Sequence, residues 1–505
     1  MTRPIPARVN RRSFCASAFA STAGLVSCRA LAALIGSELP VVRGDGKQAM
    51  LKAAEVADLK GALRGELLLA ADPGYDEARR LWNGSFDRHP ALIARCAGAA
   101  DVIAAVNFAR THELLVSVRG GGHSLSGQSA CDGGLMIDLS PMRSVHVDPD
   151  ARRARLEPGV LLGQLDREAQ AFGLATTAGT VSHTGAAGLT LGGGFGRLAR
   201  KFALACDNLI AAEVITASGQ YLRTSASENP ELLWGLRGGG GNFGVVTSFE
   251  YQLHPAGPMM WGGELQFDIA DARELLKFFT GFAAEAPDEL YVDSGLGATP
   301  KGGVVAFNVC YCGEPAAGQK AIAPLRSFRK PIKDTLRAQT YVKLQSDYDA
   351  GNAWGRGYYE RSGFLKRLEP ELIEAVIAHM QAPHPQNGEI AFVHQGGAIA
   401  RVKPTASAFW HREALFTLLV DIDWDDPKDQ AARDQNMAWA RSTWDSLEKF
   451  TDGFYVNTMA ADDPHRRVRA TYGANYPRLV ALKDKYDPTN LFRLNANVPP
   501  NSAGA

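Results

Sequence analysis

The sequence predicts an α+β protein of two or three domains, and three observations carry that prediction. The chain has 505 residues, which is more than one hydrophobic core usually organises. Between residues 101 and 253, short β-branched runs alternate with segments of helical spacing and with clusters of glycine. After Pro255 the glycine clusters become rare, and longer strands and amphipathic helices indicate a further domain in which helices cover a sheet.

The hydrophobic spacing predicts each element in chain order. Two-residue alternation marks strands, and recurrence every three to four residues marks helices, one of which stops at Gly173. The predicted strands are 114–118, 134–139, two within 145–157, 209–216, 220–224, 245–253, 303–311, 390–402 and 415–423. The predicted helices are 101–109, 160–172, 229–234, 272–284, 370–380 and 431–450.

The composition excludes some classes of partner. Lysine plus arginine number 54, and aspartate plus glutamate also number 54, so no basic excess points to nucleic acid. Five cysteines lie beyond residue 38, without the paired spacing of a metal site, and we expect no metal. We interpret them as buried apolar residues and leave a disulfide open; they are Cys96, Cys131, Cys206, Cys310 and Cys312.

Residues 1–38 differ from the rest of the chain. Arg11 and Arg12 precede a short apolar run at 16–26, a pattern typical of a twin-arginine (Tat) export signal and too short for a stable membrane span. The signal would be processed in one of two ways: at a signal-peptidase site at 30–32, which we favour, or with a lipid anchor on Cys28. We therefore expect the Tat translocase as a partner and a periplasmic or secreted protein.

The strand at 114–118 leads into Arg119, three glycines at 120–122, and His123. Three residues without Cβ allow backbone N–H groups to converge on an anion such as a phosphate. A reactive imidazole follows directly. The loop therefore suits a phosphate-bearing ligand beside a nucleophile, although a tight turn with a surface histidine would have the same sequence.

Further glycine clusters occupy 179–185, 191–196 and 238–244. The last contains a GxGxxG pattern, which in a dinucleotide-binding fold follows a strand and opens a helix. Here a helix is predicted before the pattern and a strand after it. We therefore reject the dinucleotide interpretation for this cluster.

Five motifs occur in order: RGGGHS, HTG with GLTLGGGFG, CDN, GGGGNFGVVT, and a tail with YG, YDP and FRLNANVPP. Together they resemble the berberine-bridge-enzyme-like branch of the vanillyl-alcohol-oxidase/p-cresol-methylhydroxylase (PCMH) flavoproteins. The resemblance runs from about Trp82 to Pro500 and is weakest in the middle of the chain.

The resemblance implies a PCMH-type FAD-binding domain at 82–256, built of two α+β subdomains, and a substrate domain of antiparallel sheet covered by helices at 257–455. The segment 456–505 would return to complete the FAD domain. It also implies FAD as cofactor, bound by a set of residues from the glycine clusters and the tail. These are Arg119, Gly120, Gly121, Gly122, His123, Ser124, Gly127, Gly179, Thr180, Thr184, Gly185, Gly188, Gly192, Gly194, Val245, Asn495 and Asn497.

The resemblance further implies that His123 binds the flavin covalently. Some relatives carry a second link through a cysteine, and Val181 stands at that position, so we expect a single link. Thr184 stands where the family has a residue thought to control oxygen access, and a small side chain there favours an oxidase.

The catalytic base is left open. Arg401 follows the glycine pair where berberine bridge enzyme has a glutamate, and Thr458 stands where many relatives have a tyrosine. The remaining candidates are Tyr455, Tyr472, His394 and His411. Arg401 would instead bind a substrate carboxylate or stabilise the anionic reduced flavin, or it would form a salt bridge at the surface.

We therefore expect an exported FAD oxidase that passes hydride from a small alcohol, sugar or secondary metabolite to the flavin and then to O2. The alternatives are a dehydrogenase with another acceptor and a flavin-binding protein without turnover.

Overall fold

The computed structural model describes residues 38–299, 302–382, 385 and 387–504, so the predicted export signal lies outside the described residues apart from Glu38. The described chain forms three packed units, each with its own sheet. Two belong to the first half of the chain, and the third follows Pro255. The α+β prediction is confirmed.

The first unit carries the loop of His123 between two of its strands. A four-stranded sheet in the order β3-β4-β6-β5 has parallel pairing between β4, β6 and β5, and α3 packs its apolar face on it. Its strands are β1 (Leu39–Val42), β2 (Gln48–Leu51), β3 (Glu66–Leu68), β4 (Leu92–Arg95), β5 (Val116–Arg119) and β6 (Leu135–Asp138). Its helices are α1 (Ala53–Ala62), α2 (Tyr75–Arg79) and α3 (Ala99–Thr111). Residues 39–79 therefore also belong to this unit.

The second unit is a five-stranded antiparallel sheet in the order β11-β10-β12-β8-β7. Its strands are β7 (Val145–Asp148), β8 (Arg153–Leu156), β9 (Leu174–Ala175), β10 (Leu209–Ile215), β11 (Tyr221–Ser225), β12 (Val245–Gln252) and β13 (His254–Pro255), the last pairing with β9. Its helices are α4 (Leu162–Gln170), α5 (Ala186–Leu191), α6 (Ala199–Phe202) and α7 (Pro230–Leu236). Helix α7 precedes the GxGxxG cluster and β12 follows it, as predicted.

The third unit is an eight-stranded antiparallel sheet in the order β17-β14-β16-β15-β20-β21-β19, with β18 also paired to β14. The strands are β14 (Met259–Asp268), β15 (Leu290–Thr299), β16 (Gly302–Tyr311), β17 (Lys333–Asp334), β18 (Arg337–Thr340), β19 (Gly357–Leu365), β20 (Glu389–His394) and β21 (Phe416–Trp424). The helices are α8 (Ala272–Glu285), α9 (Pro315–Phe328), α10 (Tyr341–Gln345), α11 (Pro370–Gln381), α12 (Ala398–Arg401) and α13 (Gln430–Leu447). Helices α8, α9, α11 and α13 bury one face of the sheet, which leaves the other face for the first two units.

One predicted strand is wrong in extent. The strand expected to run to Val402 ends at His394, and helix α12 occupies Ala398–Arg401. Gly396 and Gly397 have positive φ angles of 80° and 54°, a conformation that a continuous strand cannot contain. The glycine pair therefore turns the chain before Arg401.

The C-terminal segment packs on the first two units. Helices α14 (His465–Tyr472) and α15 (Tyr476–Tyr486) bury Tyr472, Leu479 and Leu482 in the core of the second unit. Leu491 and Phe492 lie in the core of the first. Short 3-10 turns occupy Ala205–Asn208, Ile269–Asp271, Pro404–Ala406, Glu448–Phe450, Val456–Thr458, Gly473–Asn475 and Asn501–Gly504. The tail thus contributes to the cores of both units.

The five cysteines beyond residue 38 are free and buried, which confirms their interpretation as apolar residues. Within the described ranges, no helix is long and apolar enough to cross a membrane. Among the same residues, no cluster of histidine, cysteine or carboxylate side chains is arranged to hold a metal ion.

Candidate active site

The loop after β5 packs backbone to backbone against the second unit. A Cβ on Gly121 would collide with the Cα of Gly185 and lie 2.7 Å from its nitrogen. A Cβ on Gly120 would lie 2.8 Å from the carbonyl oxygen of Pro158, and Gly122 has a φ angle of 70°. This close approach of the two backbones explains why the sequence needs consecutive glycines, because a side chain at these positions would push the two units apart.

His123 is held at the end of this loop in a stack of rings. Its imidazole lies 4.1 Å from the ring of Trp82, which in turn lies 3.8 Å from the ring of Tyr358 on β19. Burial, and then the neighbouring His183, lower the pKa of His123 to about 3. The imidazole is therefore neutral at physiological pH, and its buried Nε2 has no hydrogen-bond partner in the described structure.

The stack connects the first unit to the third unit. The indole N–H of Trp82 donates to the carbonyl of Asn352 at 2.8 Å. The amide nitrogen of Asn83 donates to the carbonyls of Leu125 and Tyr358, and its amide oxygen accepts from the backbone N–H of Tyr358. These hydrogen bonds fix the rings, so His123 has little freedom to rotate.

A cavity of about 600 Å³ lies between the glycine loops and the open face of the eight-stranded sheet. Its volume lies within the range of about 300–1,000 Å³ that is usual for ligand pockets. Thirteen of the predicted cofactor-binding residues line it: Gly120, Gly121, Gly122, His123, Ser124, Gly179, Thr180, Thr184, Gly185, Gly188, Gly192, Val245 and Asn495. Four do not: Arg119, Gly127, Gly194 and Asn497.

Three of those four have visible structural roles. Arg119 is buried and donates to the carbonyl of Ala78. Gly127 has a φ angle of 72°, and a Cβ there would strike the ring of Phe86. Gly194 donates its backbone N–H to the hydroxyl of Tyr455 at 3.0 Å. Arg119 and Gly127 thus support the loop from behind, while Gly194 positions a residue that does line the cavity.

Tyr455 is the one predicted catalytic residue that lines this cavity. Its hydroxyl oxygen accepts from the backbone N–H groups of Gly194 and Phe195 and from the amide of Asn457 at 2.6 Å. Burial raises the pKa of Tyr455 to about 12, although these three donors favour the ionised form. Tyr455 is therefore a neutral phenol near pH 7.

The other four candidates lie elsewhere. Tyr472 donates its hydroxyl to the carbonyl of Gly239, and His411 stacks on Phe364 beside a separate small cavity. The Nε2 of His394 lies 3.0 Å from the carbonyl oxygen of Ala283. Arg401 is exposed and forms an ion pair with Asp288. The turn at Gly396 and Gly397 directs Arg401 away from the sheet face, which is why the structure does not bring it to the cavity.

Sequence reasoning missed the acidic residues of the site. Asp293, Glu360 and Glu389 line the cavity, and no lysine or arginine does so in the part of the chain that the structure describes. The available signal was an acidic residue inside an apolar strand, as in YYERSG and LLVDIDW. Such a residue is expected either at an exposed face or, when the sheet is covered, in a site.

The residues present fit FAD. The glycine loops supply a backbone cradle, and His123 Nε2 and Asn495 Oδ1 are buried atoms without hydrogen-bond partners among the described residues. His123 and the loop 120–124 would face the ring and pyrophosphate, and Asn495 would reach the cofactor from the tail. FAD would supply the two-electron chemistry that no side chain provides.

Comparison with known proteins agrees with this assignment. An FAD binding domain family matches residues 90–225, and the family "Berberine and berberine like" matches residues 454–499. An FAD-linked oxidoreductase of Dictyostelium discoideum is 33% identical and covers 83% of this chain and 91% of the relative. The (R)-6-hydroxynicotine oxidase of Paenarthrobacter nicotinovorans is 30% identical, and the match covers 87% of this chain and 97% of the relative.

Solved structures show the same fold. A 6-hydroxy-D-nicotine oxidase from Arthrobacter nicotinovorans aligns with a TM-score of 0.79 at 30% identity, covering 87% of this chain and 98% of that one. A chitooligosaccharide oxidase aligns with a TM-score of 0.80 at 26% identity, covering 89% of this chain and all of that one.

Fold and site together define an FAD-linked oxidoreductase with a PCMH-type FAD-binding domain. The chain belongs to the berberine-bridge-enzyme-like family of these flavoproteins.

Proposed function

We propose that the protein is an oxidase with FAD bound covalently through His123 alone. Hydride would pass from a small alcohol, sugar or other metabolite to the flavin, and O2 would reoxidise it with release of hydrogen peroxide. The observation that carries the proposal is the buried, neutral and unpartnered Nε2 of His123 in a glycine-lined cavity. An unprotonated imidazole nitrogen keeps the lone pair that a covalent bond to the flavin needs.

The side chains that line the cavity support a single link. Val181 lines it at the position of the second link in some relatives, and no cysteine lines it within the described ranges. Burial also raises the pKa of Cys131 to about 11 and that of Cys310 to about 12, so these thiols are poor nucleophiles. His123 is therefore the attachment site that we favour.

Oxygen as acceptor is favoured over another acceptor by the small side chain of Thr184 in the cavity lining. The names of two relatives, (R)-6-hydroxynicotine oxidase and chitooligosaccharide oxidase, point the same way. A flavin-binding protein without turnover is disfavoured because Tyr455, Glu360 and Glu389 offer proton-transferring groups inside the cavity.

A panel of alcohols, oligosaccharides and amines tests the proposed activity. We expect at least one compound to bleach the flavin without oxygen and to yield one equivalent of peroxide per turnover when air is admitted. Bleaching with slow reoxidation in air and fast reoxidation by an artificial acceptor would identify a dehydrogenase instead. Failure of every compound to bleach a flavin that dithionite still reduces would support the non-catalytic alternative.

Export is the second part of the proposal, and it rests on Arg11 and Arg12 of the sequence. Replacing both with lysine should leave folded, flavin-loaded protein in the cytoplasm, because the Tat pathway recognises the arginine pair. Cell fractionation followed by immunoblotting measures how the protein is distributed between cytoplasm and periplasm. Arg43→Lys, in the folded part of the chain, is the control variant. An unchanged periplasmic yield contradicts the export route, and acylated mature protein beginning at Cys28 would replace the soluble form with a lipoprotein.

A further inference from the structure

One connection of the third unit contacts both the residues that hold His123 and the second glycine cluster. It comprises residues 346–356, between α10 and β19, and we call it the strap. Tyr348 and Asn352 of the strap line the cavity. The strap therefore closes one side of the cavity with residues of the third unit, whereas His123 belongs to the first.

The C-terminal half of the strap holds the ring that stacks on His123. The indole N–H of Trp82 donates to the carbonyl of Asn352 at 2.8 Å, and the backbone N–H of Gly355 donates to the carbonyl of Trp82 at 3.0 Å. The ring of Trp354 lies edge-on to the imidazole of His123, with the centroids 6.5 Å apart. Main-chain groups of the strap thus fix the position of Trp82 and of the imidazole that stacks on it.

The N-terminal half of the strap binds the glycine cluster 179–185. The carboxylate of Asp349 accepts two hydrogen bonds from Ser182, one from the backbone N–H at 2.8 Å and one from the hydroxyl at 2.6 Å. Hydrogen bonds to a carboxylate are stronger than those between neutral groups. Val181 and Thr180, which precede Ser182, line the cavity. The contact between Asp349 and Ser182 therefore fixes the cluster where it borders the cavity.

The glycine cluster is in turn coupled to His123 through its last residue. A Cβ on Gly185 would lie 2.7 Å from the nitrogen of Gly121, which stands two residues before His123. On another side, Gly163 in the first turn of α4 donates its backbone N–H to the carbonyl of Ser182 at 2.7 Å. A shift of Ser182 would therefore displace the backbone that carries His123.

We propose that the strap positions His123 and the flavin for covalent attachment, and that Asp349 and Ser182 are the positioning residues that hold the strap in place. This inference rests on the proposed function, because it concerns the bond between His123 and the flavin. Two groups react fast only when their atoms are held about 3–3.5 Å apart in the correct orientation. The imidazole and the glycine cluster come from different units, and the strap binds both.

The bond formation balances in atoms and electrons. A ring nitrogen of His123 bonds to a methyl carbon of the flavin ring while a C–H bond of that carbon breaks. The methyl hydrogen and the imidazole N–H hydrogen leave as protons, and the remaining electron pair, together with two protons, reduces the flavin. O2 then accepts two electrons and two protons and becomes hydrogen peroxide. The strap takes no part in this chemistry and only keeps the two reacting atoms within reach.

The test separates attachment of the flavin from its binding. Full-length protein is produced in a riboflavin-starved auxotrophic host, mixed with excess FAD and sampled over time. Flavin that precipitates with the protein in acid is covalent, and flavin in the supernatant is not. We expect Asp349→Ala to bind FAD to the wild-type occupancy but to form the covalent bond at least about tenfold more slowly. Its purified holoenzyme should release a larger share of its flavin in acid.

The strap offers a matched control. Asp347 lies two residues before Asp349 and pairs with Lys343 at the surface, so Asp347→Ala should attach flavin at the wild-type rate. Ser182→Ala loses the hydrogen bond of the hydroxyl but keeps that of the backbone N–H, and its rate should be intermediate. Asp349→Asn keeps an acceptor oxygen and should recover part of the rate. Because the two residues form one contact, the double alanine variant should be no slower than Asp349→Ala.

A role limited to fold stability predicts a different result. Asp349→Ala would then lower the unfolding temperature and the FAD occupancy together, and the flavin that remains bound would attach at the wild-type rate. That result, equal rates in all variants, or slow attachment in Asp347→Ala would each overturn the inference. If Asp349→Ala does not fold, Ser182→Ala and Asp349→Asn decide by the same criteria.

The two proposals fail in different ways. Wild-type protein without covalent flavin would remove the bond to His123 and the role of the strap with it. Equally fast attachment in the wild type and in Asp349→Ala would remove the role of the strap alone and leave the covalent oxidase. The test involves no substrate, so a failure to find oxidase activity would not affect its result.

Discussion

The replacement of His123 by alanine should abolish the covalent bond to the flavin while leaving a folded protein that still binds FAD. Wild-type protein denatured in acid should keep a fluorescent flavin, and one tryptic peptide containing His123 should carry the mass of FAD. The variant should release its flavin. Its turnover should fall about tenfold, or about 1.4 kcal/mol in activation free energy, because a flavin alkylated by histidine is a stronger oxidant.

His183 provides a matched control for this experiment. Its ring lies 5.2 Å from that of His123, but His183 does not line the cavity. His183→Ala should therefore keep the covalent flavin. An unmodified His123 peptide in wild-type holoenzyme contradicts the covalent link, and flavin mass on a cysteine peptide contradicts the single attachment.

The glycine loop could be predicted from sequence because its signal is local. Gly120, Gly121 and Gly122 are consecutive and stand between a β-branched strand and a histidine. The prediction that their backbone N–H groups face an anion uses this local pattern alone, whereas the close approach of Gly121 to Gly185 is visible only in the structure. The alternation of strand and helix patterns predicted the α+β fold, and the resemblance carried by the later motifs implied that the C-terminal segment completes the FAD domain.

The three neighbouring acidic residues on the third unit, Glu360, Glu389 and Asp421, could not be predicted in the same way. They become neighbours because β21 pairs with both β19 and β20. Each acidic residue alone resembles a solvent-facing residue of an amphipathic strand. The strand order, not the local pattern, brings the three together, and Glu360 and Glu389 line the cavity.

For Arg401, a local turn moves the residue away from the site that the sequence predicted for it. Its role was inferred from its distance along the chain after the glycine pair, on the assumption that the strand continues. The positive φ angles of Gly396 and Gly397 end that strand, and the side chain of Arg401 instead pairs with Asp288 at the surface. A shift of a few residues at a turn is enough to move a predicted site residue out of the site.

Gly121→Ala should largely eliminate the cofactor, since the close approach of Gly121 to Gly185 holds the two halves of the cradle together. The added Cβ would collide with the Cα of Gly185 and lie 3.1 Å from the side chain of Leu161. The backbone must therefore shift, at a cost of about 1–3 kcal/mol for overpacking. A displaced glycine loop also loses the hydrogen bonds from its backbone N–H groups to the pyrophosphate, so we expect flavin content to fall at least about tenfold.

The ratio of flavin to protein absorbance after purification measures this loss, and thermal unfolding with and without added FAD separates lost binding from lost folding. Gly61→Ala is the matched control, because Gly61 lies in α1 with no atom within 4 Å of an added Cβ. Alanine there should keep full flavin content and stabilise the helix by up to about 1 kcal/mol. If Gly121→Ala also retained full flavin and wild-type unfolding, the contact with Gly185 would not determine the geometry of the cofactor site.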